Sequence, residues 1–222
     1  MKYILSITLT AFFTISGLAQ SRTAYYELGL GAGTMNYAGD IATTTSTNAI
    51  LEEMRPNFMV YGKKHFNDWF AMGLTSSYGW MYASDANHSN QQRGLSVKTK
   101  MFQVNPYLEA SLIRFGKYHY DRKFTIFVQA GAGFLAYNPE PEAAEVYPEN
   151  IEPRPDAYNS INFFVGTGMK FRLTYNSILT LGITYHGSGV DDLDGIKISK
   201  GFTSGKNDVY SGVYVGISRA FF

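Results

Sequence analysis

Two residues near the end of a predicted strand have the types needed for nucleophilic catalysis, His186 and Ser188. A histidine can act as general base for a serine nucleophile, but an acidic side chain must orient the imidazole. To attack a membrane lipid, the pair would also have to face the bilayer. His186 instead falls on the polar face of its strand with Thr180 and Thr184, and the last strand contains no glutamate. We therefore expect no catalytic residues and no enzymatic activity.

Acidic residues and histidines do not have the spacing of metal ligands. Asp191, Asp192 and Asp194 form an acidic run without the regular alternation and turn glycine of a calcium loop. The chain has four scattered histidines, His65, His88, His119 and His186. None pairs with another at ligand spacing, and no glycine-rich phosphate loop occurs. We therefore expect neither a metal nor a cofactor.

The beginning of the sequence predicts export. Lys2 is followed by the apolar run 4–15, which is too short to cross a bilayer as a helix, and then by the small residues Gly17 and Ala19. This pattern is typical of a cleaved signal peptide, residues 1–19, followed by a single domain, residues 20–222. The chain has no cysteine, so we expect neither a lipoprotein anchor nor a disulfide.

The composition favours a membrane β-barrel. Loss of Lys2 with the signal peptide would balance the 19 basic and 18 acidic residues, and a neutral chain is an unlikely nucleic-acid partner. No apolar run of about 18 residues follows the signal, which excludes transmembrane helices. The 17 tyrosines and 22 glycines suit aromatic girdles and a crowded barrel interior.

Apolar and polar residues alternate over eight segments, which predicts strands with one apolar and one polar face. The segments are residues 26–33, 57–61, 69–80, 102–112, 124–134, 161–173, 179–186 and 209–222. Pro106 cannot donate a ladder hydrogen bond, so we expect a bulge or an irregularity there. The register of the last strand stays open, because an outward face of Val213 and Val215 would also place Arg219 outward, near the interface.

The connections between these segments alternate in length. Long ones cover residues 38–55, 83–95, 138–157 and 187–208, and shorter ones lie at Asn67-Asp68, residues 116–123 and Tyr175-Asn176. Outer-membrane barrels have short periplasmic turns and long extracellular loops. The sequence therefore predicts an all-β, eight-stranded antiparallel up-and-down transmembrane β-barrel surrounded by outer-membrane lipid, with both termini in the periplasm. The proline-rich stretch 139–155 predicts an extended, mobile extracellular loop.

Five polar residues fall on the inward faces of the predicted strands, in the periplasmic half of the barrel. They are Glu27, Glu109, Gln129, Lys170 and Arg172. Eight strands leave little open space, and unpaired buried charges are costly. We therefore expect these residues to form a polar network that seals the barrel, so that no solute channel exists.

Several short motifs resemble the PorG-like outer-membrane proteins of Bacteroidota. The motifs comprise residues 25–29, Asn36-Tyr37 with Gly39-Asp40, residues 93–95, residues 130–139, and the run of Asp191, Asp192 and Asp194. The resemblance implies a component of the type IX secretion and gliding machinery. Its implied partners are a periplasmic ring lipoprotein and the partner protein of that lipoprotein, and its implied role is to anchor or position the ring.

The turn before the fifth strand is the best candidate for the contact with this ring. It contains charges, aromatics and a histidine where two residues would suffice for the topology, namely Lys117, Tyr118, His119, Tyr120, Asp121 and Arg122. Residues 66–69 and Tyr175-Asn176 are further candidates at the same end. Two other functions remain open at this point: a general surface barrel whose long loops bind ligands, and an enzyme that modifies lipid A.

Overall fold

Eight strands form one closed antiparallel barrel in the computed structural model, which describes residues 24–38, 47–88, 94–119, 121–143, 151–190, 193–198 and 208–222. The barrel strands are β1 (Tyr25–Ala38), β2 (Arg55–His65), β3 (Phe70–Ser84), β4 (Leu95–Ser111), β5 (Phe124–Ala143), β7 (Tyr158–Arg172), β8 (Ser177–Ser188) and β10 (Val209–Phe221). Two short strands outside the barrel, β6 (Ile151–Pro153) and β9 (Ile196–Ile198), pair with each other. Successive barrel strands are neighbours, and β1 pairs with β10 to close the barrel. The predicted fold class is confirmed.

Helical structure is minor in the described part of the chain. It consists of α1 (Thr47–Glu53) and a 3₁₀ turn (Asp85–Asn87). No helix among the described residues is long and apolar enough to cross a membrane.

Alternate side chains along every barrel strand point to opposite sides of its wall. The outward face is apolar and includes Leu28, Leu30, Phe58, Val60, Leu74, Leu108, Ile161, Phe163, Val165, Ile183, Val213, Val215 and Ile217, each more than half or about half exposed. The barrel strands have 11 to 20 residues, and a tilted strand of about 9–11 residues crosses a bilayer. The exterior therefore has the polarity and the strand length of a lipid-facing surface.

Glycines inside the barrel make room for aromatic rings from neighbouring strands. A Cβ on Gly29 would lie 2.4 Å from Cζ of Tyr61, and a Cβ on Gly73 would lie 2.5 Å from Cζ of Tyr107. Because such distances are impossible for real atoms, the rings can fill the narrow interior only over glycine.

Most strands are longer than the sequence pattern predicts. The second segment, predicted over residues 57–61, runs from Arg55 to His65. The predicted loop at residues 138–157 is partly strand, because β5 continues to Ala143 and β6 lies within it. Near Pro106 the pairing of β4 with β5 is interrupted between Val104 and Tyr107, but the register is the same on both sides. The irregularity is therefore a local gap in the pairing and not a bulge.

The two ends of the barrel differ. The short-turn end holds both ends of the described chain and the connections β2–β3, β4–β5 and β7–β8; the long-loop end holds α1, the 3₁₀ turn and the β6–β9 sheet. Each end is closed by a buried apolar cluster. At the short-turn end it comprises Tyr25, Phe115, Ile178 and Ala220 with Phe222 packed against them, and at the long-loop end Met81, Leu95, Leu135, Leu193 and Tyr210 are among its members.

Candidate functional site

A chain of buried charged groups crosses the interior near the short-turn end. Lys63 Nζ lies 3.1 Å from Glu27 Oε1 and 3.1 Å from Glu109 Oε2. Glu109 Oε1 is bonded in turn to Lys170 Nζ, and Glu27 Oε2 lies 2.9 Å from Nε2 of His65. Ser218 Oγ donates a further bond to Glu27 Oε1 at 2.7 Å. The side chains are at most 3% exposed, so the two carboxylates are balanced by two lysines out of contact with solvent. We call these residues the charge cluster.

The strand register explains why the charge cluster forms. Glu27 on β1 lies directly opposite Lys63 on β2. Lys63 is in turn paired with Gly73 on β3, and its Nζ reaches past that strand to Glu109 on β4. Lys170 reaches Glu109 from β7, and its Nζ lies 5.1 Å from the centre of the Phe127 ring on the intervening β5. Five strands are thereby joined through their side chains.

The sequence-predicted network and the charge cluster overlap only in part. Glu27, Glu109 and Lys170 come together. Arg172 does not join them: its guanidinium donates to the carbonyl of Gly116 at 3.0 Å and lies 4.5 Å from the Phe115 ring. Arg172 is two residues nearer the strand end than Lys170, so it reaches the barrel rim.

Gln129 is also separate from the charge cluster, because it lines a cavity halfway along the barrel and its Nε2 lies 3.5 Å from the Tyr214 hydroxyl. Ser218 is missing from the prediction, and so are the two members of the charge cluster on β2, Lys63 and His65. The inward alternation of Asn57, Met59 and Tyr61 continues through both of them. Extending the second segment by four residues would have found them.

The central cavity has a volume of about 50 Å³. Four residues that line it each have a buried side-chain oxygen without a hydrogen-bond partner among the described residues: Asn57 Oδ1, Tyr61 OH, Asn105 Oδ1 and Thr180 Oγ1. A cavity of this size has room for about three water molecules, since each needs roughly 10–15 Å³. The cavity is bounded on the short-turn side by Lys63 and Glu109, so it does not open a passage through the charge cluster.

The long-loop end brings together residues of the family motifs. The Tyr37 hydroxyl lies 2.5 Å from Asp208 Oδ1 and 3.3 Å from Asp194 Oδ2. Asp208 Oδ2 accepts from the backbone N–H of Leu193, whose side chain is fully buried in the mouth of the barrel. Asn36 donates to the carbonyl of Ile50 at 2.8 Å and so attaches α1 to β1. These motif residues therefore have structural contacts, while Gly39, Asp40, Asp191 and Asp192 lie outside the described residues.

The turn between β4 and β5 closes the barrel at the short-turn end. Phe115 is 1% exposed and its backbone N–H donates to the carbonyl of Asp68, while His119 Nε2 lies 3.4 Å from Asp68 Oδ2. The turn then projects outward: Tyr118 is 56% exposed, Asp121 and Arg122 are exposed, and Lys117 is half-buried. Tyr120 is not among the described residues.

His186 and Ser188 do not form a catalytic pair in the described structure. The His186 ring is stacked between Phe164 and Tyr210, with ring centres 5.2 and 4.5 Å away. The Ser188 hydroxyl lies 2.7 Å from the carbonyl of Val190 and 2.8 Å from that of Asp208. Both side chains are buried in the interior and away from the lipid-facing wall. As for metals, no group of three or more histidine or acidic side chains with metal-binding geometry occurs among residues whose positions are described.

The filled interior predicts that the purified barrel is electrically silent. Apolar clusters close both ends, and the charge cluster crosses the interior between them. In planar lipid bilayers we expect no stable open-channel conductance from the reconstituted protein, because every aqueous route meets packed side chains. A persistent single-channel step that scales with the amount of folded barrel would contradict this expectation.

Comparisons with known proteins agree with this architecture. The family model described as "Domain of unknown function (DUF6089)" matches residues 6–213, and no curated protein matches the chain. Among solved structures, the chain is similar to Neisserial surface protein A, with a TM-score of 0.52, 11% identity and coverage of 88% of this chain and 97% of that chain. It is also similar to a major outer membrane protein from Thermus thermophilus, with a TM-score of 0.50, 10% identity and coverage of 88% of this chain and 99% of that chain. At such identities these likenesses show the fold of outer-membrane barrels.

Proposed function

The chain belongs to the DUF6089 family, and from this premise we propose that it is a structural outer-membrane barrel that anchors or positions the periplasmic ring of a type IX secretion system. The motifs that resemble PorG-like proteins support the secretion role. The apolar exterior supports a location in the lipid bilayer. The proposed partners are the periplasmic ring lipoprotein and the partner protein of that lipoprotein, and the short-turn end of the barrel faces the periplasm.

The β4–β5 turn is the observation that carries this proposal. It spans residues 112–123, far more than an antiparallel connection needs. Its first half, with Phe115, is anchored in the barrel end, and backbone hydrogen bonds from His119 to Gly116 and from Arg122 to His119 brace the segment that follows. Lys117, Tyr118 and Arg122 therefore project from a braced segment, and a braced binding segment loses little entropy when a partner docks.

The short-turn end is also strongly basic. Outside the charge cluster, the described residues at this end include seven basic side chains and two acidic ones, namely Lys64, Arg114, Lys117, Arg122, Lys123, Arg172 and Arg219 against Asp68 and Asp121. Because the whole mature chain is close to neutral, this excess is local. It would attract an acidic surface on the periplasmic partner and orient it during association.

The filled interior supports a structural role over transport. The charge cluster and the two apolar end clusters occupy the space through which a solute would have to pass. The functional surfaces left are the two ends and the lipid-facing wall.

Replacement of the projecting turn residues tests the proposal. The triple variant Lys117→Ser, Tyr118→Ser and Arg122→Ser leaves Phe115 and Gly116 in place to close the barrel. We expect the wild-type barrel, captured from native membranes after cross-linking, to retain a periplasmic lipoprotein and its partner identified by mass spectrometry. In the triple variant their retention should fall about thirtyfold, the effect of losing one contact of about 2 kcal/mol.

A matched variant at the opposite end serves as control. This control variant removes two cations and one tyrosine from the long-loop half, by Lys98→Ser, Lys100→Ser and Tyr158→Ser. Its retention of the ring proteins should stay at the wild-type level. Equal retention by both triple variants, or the absence of any ring lipoprotein from wild-type captures, would rule out the turn as the contact.

A general surface barrel with ligand-binding loops is the second candidate function. The regular structure at the long-loop end favours it. At this end the backbone of Ile151–Pro153 pairs with that of Ile196–Ile198, and Leu193 is buried in the apolar cluster that closes the barrel. Binding of an external ligand that is lost on removing residues 144–157, with ring-protein retention unchanged, would support this function. β5 would be spared because it ends at Ala143.

A further inference from the structure

The outer wall of the barrel has a recess across β10, β1, β2 and β3, near the short-turn end. Its volume is about 700 Å³. Apolar side chains form its sides, namely Leu28, Leu30, Val60, Leu74 and Ile217. Gly62 and Ser76 also line it. Because their side chains are absent or small, the surface is recessed between the larger residues. We call this recess the wall groove.

One cation lines the wall groove at the end nearer the short turns, and a second lies beside that end. Arg219 lines the groove and pairs with Leu28, which pairs on its other side with Gly62. One row closer to the strand ends, Lys64 pairs with Tyr26. The strand register thus places Arg219 and Lys64 on opposite sides of β1, both on the outward face.

Neither cation has an acidic partner in the part of the chain that the structure describes. Lys64 Nζ lies 5.6 Å from the centre of the Tyr26 ring, and the Arg219 guanidinium carbon lies 5.9 Å from that of Phe221. An aromatic ring therefore lies beside each cation, and such pairs near strand ends are typical of the level where lipid headgroups meet the hydrocarbon. Two unpaired cations at this depth favour an anionic group from the membrane.

We propose that the wall groove binds one anionic glycerophospholipid of the leaflet at the short-turn end, with its phosphate between Arg219 and Lys64. One acyl chain lies along Gly62 against Leu28 and Val60. Charge complementarity selects the headgroup, and the apolar recess selects the chain, so the site discriminates by both parts of the molecule. The site rests on the membrane location in the proposed function, but not on the secretion role.

Titration of the detergent-purified protein with phosphatidylglycerol, followed by native mass spectrometry, tests the site. We expect one phosphatidylglycerol to bind to the wild-type barrel in preference to phosphatidylcholine. Arg219→Gln with Lys64→Gln should weaken phosphatidylglycerol binding about thirtyfold, about fivefold for each cation. Gly62→Leu, which fills the recess, should weaken it about tenfold; a Cβ at Gly62 meets only the flexible end of Leu28, at 3.0 Å, so the variant can fold.

Arg114→Gln provides the matched control. Arg114 lies at the same end over the ring of Trp69, with its guanidinium carbon 5.5 Å from the ring centre, and it does not line the wall groove. Its variant should bind phosphatidylglycerol within about twofold of wild type.

Three outcomes would overturn the lipid site. The first is unchanged phosphatidylglycerol binding in the Arg219 and Lys64 double variant, and the second is equal binding of phosphatidylcholine by the wild-type barrel. The third is a dimer of the chain that forms in the wild type and is lost with Gly62→Leu, which would show that a second copy occupies the groove. Ring-protein retention is measured separately on the same variants. A barrel that binds the lipid but retains no ring protein disproves only the secretion role, and the reverse result disproves only the lipid site.

Discussion

Glu109→Gln should destabilise the barrel by about 3–5 kcal/mol, the usual cost of removing one partner from a buried ion pair. The amide keeps the shape of the carboxyl group but not its charge. Lys170 then stays buried at 0% exposure without its bonded carboxylate, and Lys63 keeps only Glu27. Urea unfolding of the barrel in lipid vesicles, followed by the fluorescence of the two tryptophans, measures the change.

A surface ion pair of the same residue types provides the comparison. Lys100 Nζ lies 2.5 Å from Glu140 Oε1, but these side chains are 41% and 44% exposed. Glu140→Gln should therefore leave the unfolding midpoint unchanged, because solvent already screens the pair. The double variant Glu109→Gln with Lys170→Met should lose less than the sum of its single variants, since it removes both members of one pair. Equal losses from Glu109→Gln and Glu140→Gln would show that the charge cluster does not stabilise the fold.

Gly33→Ala should prevent efficient closure of the barrel. Gly33 pairs with Tyr214 across the β1–β10 seam. An added Cβ would lie 2.1 Å from the carbonyl oxygen of Val213 and 2.8 Å from Cα of Tyr214. Both are backbone atoms, so the two strands would have to separate, and we expect a loss of about 3 kcal/mol, the upper end for overpacking. The folded fraction after refolding, read from the heat-dependent shift in gel mobility, should fall accordingly.

Gly187→Ala is the matched glycine replacement. A Cβ at Gly187 on β8 would meet nothing within 4 Å. Alanine also restricts the unfolded chain more than glycine, so this variant should be neutral or more stable by about 0.5–1 kcal/mol. If Gly33→Ala folded as well as Gly187→Ala, the close approach of β1 and β10 at the seam would be wrong.

The sequence by itself was sufficient to predict the architecture of the barrel. Alternation at every second residue assigned one lipid-facing and one inward face to most strands, and the alternating connection lengths indicated an even number of strands with both ends together. Both patterns are local along the chain, because strand periodicity depends only on successive residues. Glu27, Glu109 and Lys170 could therefore be placed inside from the sequence alone.

The composition of the charge cluster depended on the tertiary structure. Arg172 and Lys63 both have the charge to partner the two carboxylates, since each is a cation near the short-turn end of its strand. The register of β1 with β2 places Lys63 directly opposite Glu27, while Arg172 lies at the rim and contacts Gly116. Register between strands is set by pairing over the whole sheet, and a difference of two residues separates a partner in the interior from a side chain at the rim.

The last strand and the β4–β5 turn likewise have some features that the sequence predicts and others that only the tertiary structure determines. The sequence leaves open which face of the last strand is outward, and the structure exposes Val213, Val215 and Ile217 while it buries Tyr214 and Ser218. Likewise the sequence identifies the turn as unusually long, but only the closed barrel reveals that Phe115 fills the interior and Tyr118 projects from it. Residue types and spacing thus determined that this chain forms a barrel with a polar interior. Closure of the sheet decided which side chains meet, because contacts across a barrel join residues far apart in sequence whose distances no local pattern specifies.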